Sequence, residues 1–115
     1  MAHPVIHAEI RSADPDATRA FFADLFGWTY SEGALPGYTF VDTGMEGALP
    51  TAIGPVQGGG EAVLFFVGVE DVEATLRRAE ELGGKTIQPM QVVPDVTFGV
   101  LADAQGHVVG VAASR

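Results

Sequence analysis

The sequence predicts an α+β protein built from two βαβββ modules that form one cupped mixed β-sheet, with both helices packed outside it. Three observations carry this expectation: an internal repeat, hydrophobic spacing that switches between strand and helix periods in each copy, and a chain too short for two separate cores. Sliding the chain along itself by 71 − 14 = 57 positions lays Asp14–Tyr30 on Asp71–Ile87 without a gap. Asp14 then meets Asp71, Ala17 meets Ala74, Thr18 meets Thr75, Leu25 meets Leu82, Gly27 meets Gly84 and Thr29 meets Thr86. Self-similarity at a fixed offset marks a duplicated supersecondary unit. With 115 residues in all, two such units cannot each bury a core, so they are expected to share one, and the concave face of their sheet is expected to hold a pocket.

In the first copy Val5–Ile10 alternates, with Val5, His7 and Glu9 on one face and Ile6, Ala8 and Ile10 on the other. Asp14 suits a helix N-cap and Pro15 the first helical position, where its missing N–H removes no bond. Ala17, Phe21 and Leu25 form a row spaced by four, with Phe22 and Phe26 beside it, so the helix is expected to turn that row to the core until Gly27 stops it. Extended segments are expected at 28–32, 38–42 and 48–54, separated by turns rich in glycine and proline. The run Gln57-Gly58-Gly59-Gly60 reads as a flexible joint between the copies, and lacks the Gly-Lys-Ser/Thr that a phosphate loop needs. The second copy opens with Val63–Val69 and caps a helix at Asp71. That helix carries Val72, Leu76, Ala79 and Leu82 on its buried stripe and ends at Gly83-Gly84. Strands at 85–93, 96–103 and 108–113 follow. The organisation is a single domain over 1–115, with module one at about 3–55, the linker at about 57–60 and module two at about 61–114.

Composition excludes several function classes. Six basic and fifteen acidic side chains give a net charge of −9, which disfavours nucleic acid and anionic membrane surfaces as partners. The absence of cysteine removes disulfides, thiolate metal clusters and a cysteine nucleophile. Val63–Val69, the longest apolar run, is too short to span a bilayer, and the first residues lack the pattern of a secretory signal, so a cytoplasmic location is expected. Ser12, Ser31 and Ser114 fall in turns or tails, where a serine triad finds no nucleophile elbow. The carboxylate pairs Glu80-Glu81 and Glu70-Asp71 read as a solvated helix face.

The segments Val5-Ile-His-Ala-Glu-Ile10, Phe21-Phe-Ala-Asp-Leu-Phe-Gly-Trp28, Ala79-Glu-Glu-Leu-Gly-Gly-Lys85 and Leu101-Ala-Asp-Ala-Gln-Gly106 together resemble the vicinal oxygen chelate superfamily. That superfamily includes glyoxalase I, bleomycin resistance proteins and extradiol dioxygenases, and the resemblance extends over nearly the whole chain, nearest to the bacterial group related to lactoylglutathione lyase. It implies the paired-module cupped sheet, a small-molecule ligand and a homodimer. In catalytic members of such a family a divalent metal is held by one side chain on the first and last strands of each module. Carried across, those positions fall on His7, on Leu64, at or near Gly110, and within 48–54, where no histidine or carboxylate stands in any register. Only His7 retains a donor, and a mononuclear site needs about three or more protein donors. No metal or other cofactor is therefore expected.

The resulting expectation is a protein with a degenerate metal site that binds a small, partly apolar molecule through His7, Glu9, Leu64, Phe66 and Gly110. Strand parity puts Phe66 on the pocket face with Leu64 and puts Phe65 under the helix. The alternative is a lyase, isomerase or dioxygenase-type enzyme that uses His7 and Glu9 as catalytic residues, either on a reduced metal site or as a metal-free acid–base pair. Asp42, Glu46 and His107 are the remaining side chains that could assist such a site. A third reading is a partner-binding remnant whose cup is filled by its own side chains.

Overall fold

Asp14 and Asp71, the residues the repeat superposes, cap the two helices in the same way. In the computed structural model, which describes residues 2–114, the Asp14 carboxylate accepts from the Ala17 N–H at 3.1 Å and Asp71 from the Ala74 N–H at 2.9 Å. The elements in chain order are β1 (Val5–Ser12), α1 (Pro15–Phe26), β2 (Thr29–Glu32), β3 (Thr39–Asp42), β4 (Thr51–Pro55), β5 (Ala62–Gly68), α2 (Val72–Glu81), β6 (Lys85–Val93), β7 (Val96–Ala102) and β8 (Val108–Ser114). Each copy of the repeat is thus a βαβββ module, and the chain has the expected α+β architecture of eight mixed strands and two helices. His7–Val63 make one compact unit, and the described residues before and after it make the other.

In the His7–Val63 unit β1 runs parallel to β4, β4 antiparallel to β3, and β3 antiparallel to β2. The register places Glu9 opposite Ala52, Ala52 opposite Phe40, and Phe40 opposite Ser31. Because side chains alternate along a strand, His7, Glu9, Arg11, Ala52 and Phe40 share one face. Ile10, Ile53, Thr39 and Tyr30 share the other, against α1. That interface is largely polar. The Tyr30 hydroxyl donates to the Arg19 carbonyl at 2.7 Å, the Ser12 and Thr18 hydroxyls meet at 2.7 Å, and Arg19 Nη1 donates to Thr39 Oγ1 at 3.3 Å.

These bonds overturn the expected burial of α1. They rotate the helix so that Thr18, Arg19, Phe22 and Ala23 face inward and are half-buried, while the row read as core-facing is left outside. Phe21 is 61% exposed and Leu25 59%, and no residue of α1 is fully buried. Gly27 ends the helix as expected, with φ 74° and its N–H on the Ala23 carbonyl at 2.9 Å. The glycine-rich run after β4 forms a tight turn in which the Gly60 N–H donates to the Gln57 carbonyl at 3.0 Å.

The second unit repeats the pairing pattern, with β5 parallel to β8, β8 antiparallel to β7, and β7 antiparallel to β6. Val72 and Leu76 of α2 form a buried cluster with Val111, flanked by Val69, Met90, Leu101 and Ala113. Gly99 permits this approach, since a Cβ there would lie 3.0 Å from Leu76 Cδ1. Phe65, expected under the helix, shares the face of α2 by parity but stays 44% exposed, because α2 packs on β6, β7 and β8. Among the described residues no helix is long and apolar enough to cross a membrane.

Candidate functional site

The alternation of β1 places three polar side chains, His7, Glu9 and Arg11, in succession on the face away from α1. Two of them are deeply buried, Glu9 at 4% and Arg11 at 3% exposure, a position that charged groups occupy only when paired. Arg11 Nε donates to Glu9 Oε2 at 2.6 Å, and the Tyr38 hydroxyl donates to Glu9 Oε1 at 2.6 Å. His7 Nε2 lies 3.0 Å from the Tyr38 hydroxyl and 3.4 Å from Glu9 Oε1. The phenol has one proton and gives it to the carboxylate, so its oxygen is an acceptor toward His7 Nε2.

Tyr38 reaches this position through two glycines. A Cβ on Gly54 would lie 2.7 Å from Tyr38 Cδ2, and one on Gly33 would lie 3.0 Å from Tyr38 Cδ1. The ring therefore sits in a slot that only glycine leaves open, with Phe40 edge-on to it at 5.4 Å. The sequence reading paired His7 with Glu9 but missed Arg11 and Tyr38 as members of the cluster. For Arg11 the signal was present, because it continues the 7, 9, 11 parity. For Tyr38 it was not, because parity relates Tyr38 to Phe40 without saying which face they take.

Burial pushes the Glu9 carboxyl up, but hydrogen bonds from His7, Tyr38 and Arg11 and the Arg11 charge outweigh it and hold the group below the ordinary carboxyl range. Burial, then the charge and hydrogen bond of Glu9, push the Tyr38 phenol well above its usual range, so it remains a donor. The lowered Glu9 value has a consequence for acid stability. Between the folded and unfolded values only the unfolded chain holds the proton, so the Glu9 contribution is complete above the ordinary 4.5 and disappears as pH falls through the folded value. The thermal stability gap between the native chain and Glu9→Gln is therefore expected to narrow steadily below that pH. Unfolding midpoints measured across the acid range check this, and a gap that stays constant into strong acid contradicts it.

The other residues assigned from sequence lie in the second unit. Phe66 stands opposite Gly110 in the β5–β8 register, and its ring covers that glycine so closely that a Cβ on Gly110 would lie 2.3 Å from Phe66 Cδ2. Phe98 meets the Phe66 ring edge-on at 6.3 Å. Leu64, on the same face two residues earlier, is buried, as is Phe66. The structure thus brings His7 together with Glu9, and Phe66 together with Gly110. His107 is a turn residue, its Nδ1 2.9 Å from the exposed Asp103 carboxylate.

Register also locates the position that sequence left open in module one. The offset of 57 pairs Glu9 with Phe66; Phe66 faces Gly110 and Glu9 faces Ala52, so Ala52 is the counterpart of Gly110. By the superfamily resemblance the four metal-ligand positions then correspond in sequence to His7, Ala52, Leu64 and Gly110, and the last three have no side-chain donor atom. The Glu9 carboxylate, which accepts from Arg11 and Tyr38, would add at most one donor group to His7, which leaves the set short of the about three or more that a mononuclear site needs. Among the described residues no three histidine, aspartate or glutamate side chains are placed to hold a metal ion. The residues present do not fit the metal of the catalytic superfamily members.

Comparison with known proteins agrees with this architecture. "Putative glyoxylase CFP32" of Mycobacterium bovis is 25% identical over 112 residues, covering 89% of this chain and 42% of its own length. The chain therefore spans about two-fifths of the length of the curated relatives it matches. Among solved structures, a glyoxalase/bleomycin resistance protein/dioxygenase superfamily member from Vibrio splendidus superposes with a TM-score of 0.63 at 15% identity, covering 99% of this chain and all of the other. The Mn(II)-bound glyoxalase from Novosphingobium aromaticivorans gives 0.57 at 19% identity, over 95% of this chain and 37% of its own. At these identities the structural likeness is one of fold. The profile of the glyoxalase-like domain matches residues 7–112, nearly the full chain, and the protein belongs to that family.

Proposed function

We propose that this chain binds a small, partly apolar molecule without a metal ion. His7 supplies the polar contact, and Glu9, Arg11 and Tyr38 hold its ring. The observation that carries the proposal is the closed Arg11–Glu9–Tyr38–His7 network. In it the Glu9 carboxylate accepts from Arg11 and Tyr38, while the positions that correspond to the other superfamily ligands carry Ala52, Leu64 and Gly110. The imidazole is partly buried, with its side chain 18% exposed, so a bound molecule can reach it.

A fragment screen followed by amide chemical-shift mapping tests this. Binders are expected to perturb His7 and its neighbours, and His7→Ala is expected to weaken them by about tenfold, the usual scale for one hydrogen bond lost at a half-buried site. Binders unaffected by His7→Ala would overturn the assignment. The His7–Tyr38–Glu9 chain also favours a second reading, a metal-free proton-transfer enzyme with His7 as general base, because a carboxylate-anchored hydrogen bond is how such a base is oriented. Under that reading His7→Ala abolishes turnover while the protein stays folded.

A further inference from the structure

The loop between β3 and β4 encloses an open cavity of about 470 Å³ whose lining residues include none of His7, Glu9, Arg11 or Tyr38. Its volume falls in the ordinary range for small-molecule sites. Its lining includes the apolar residues Trp28, Met45, Leu49 and Pro50 and the acidic residues Asp42 and Glu46, and no lining residue is basic. The carbonyl of the lining residue Pro50 accepts from the Ala8 N–H at 2.9 Å, so the cavity borders β1 beside His7 without His7 lining it.

The indole that forms its wall is held in place. Trp28 contacts Phe22 and Phe26 of α1 at ring separations of 5.5 and 5.4 Å. The loop opposite is shaped by its own bonds: the Asp42 carboxylate accepts from the Gly44 N–H at 2.8 Å and Thr43 Oγ1 from the Met45 N–H at 3.2 Å. Met45 is nevertheless 76% exposed, so a polarisable thioether side chain and an aromatic residue line the same cavity as the two acidic residues. Aromatic faces attract cations, and carboxylates without an ion-pair partner add to that field.

From the geometry we infer that this cavity is a binding site for a small organic cation, one with an ammonium group and an aromatic or branched alkyl body. The ammonium lies toward Asp42 and Glu46, and the apolar body lies against Trp28, Met45 and Leu49. Neutral molecules of the same shape lose the charge attraction, and organic anions are repelled.

Trp28 is the only tryptophan in the chain, so its fluorescence reports directly on this wall. Titration with benzyltrimethylammonium is expected to change the Trp28 emission saturably. The Asp42→Asn/Glu46→Gln double variant, which keeps the loop's hydrogen-bond acceptors, is expected to bind at least about tenfold more weakly. The same loss is expected in about 1 M salt, where charges are screened beyond about 3 Å. Benzyl alcohol and benzoate are expected to give no saturable change, and amide shifts should fall on residues 43–51. An unsaturable response, equal binding of benzyl alcohol, or full affinity in the double variant would overturn the inference. Shifts centred on His7 and Tyr38 would overturn it too, while supporting the proposed role of His7.

Discussion

Glu9→Gln is expected to destabilise the protein by about 3–5 kcal/mol, the range seen when one partner of a buried ion pair is removed. The substitution leaves the size of the side chain nearly unchanged, so the loss comes from charge. The Arg11 guanidinium, 3% exposed, stays buried after losing the carboxylate 2.6 Å away, and the Tyr38 hydroxyl loses a charged acceptor. Against a total stability of about 5–15 kcal/mol for a domain of this kind, that loss is large enough to approach unfolding at physiological temperature. Urea denaturation of the single variants and of Glu9→Leu/Arg11→Met checks the cause. The double variant should recover much of the loss, since removing both charges together removes the desolvation problem. A loss below about 1 kcal/mol for Glu9→Gln, the scale of an exposed pair, would show that the network is not the buried, ionised cluster described above.

Gly110→Ala is the second large effect, about 1–3 kcal/mol or more from overpacking. One added methyl would meet three carbons of the Phe66 ring at 2.3–2.7 Å, and that ring is 3% exposed, with little room to move away. Combining the change with Phe66→Leu should recover part of the loss, so the two substitutions are expected to be non-additive, as contacting residues usually are. Additive losses in a double-mutant cycle would mean that the ring does not press on Gly110. The same contact shows why placing a glutamate at position 110 would not recreate a superfamily metal ligand there: the Phe66 ring already occupies the space its side chain would need.

Much of the fold was legible because the signals were local. The caps at Asp14 and Asp71, the stop at Gly27 and the alternation of Val5–Ile10 are each set by neighbours in sequence, and the repeat showed that they occur twice. The burial of α1 was not legible. Its row of Ala17, Phe21 and Leu25 has the spacing of a core face, yet hydrogen bonds of Thr18 and Arg19 with Ser12, Tyr30 and Thr39 turn the adjacent row inward. The candidate site divided in the same way. His7 and Glu9 share a strand and were found together, whereas Tyr38 joins them from 29 residues beyond Glu9, through a slot opened by Gly33 and Gly54 that no spacing rule reveals. The missing register in module one likewise needed the pairing of Glu9 with Ala52, because the turns before β4 hide where the strand begins.

Metal analysis of untagged protein, as purified and after incubation with zinc, nickel, manganese and iron(II) followed by buffer exchange, decides whether the site around His7 works without a metal ion. None of these ions is expected to be retained near stoichiometry, and His7→Ala is expected to leave the metal content unchanged. A stoichiometric ion held through exchange by the native chain and lost in His7→Ala would overturn the metal-free reading, and would mean that Glu9 turns to the ion as a ligand.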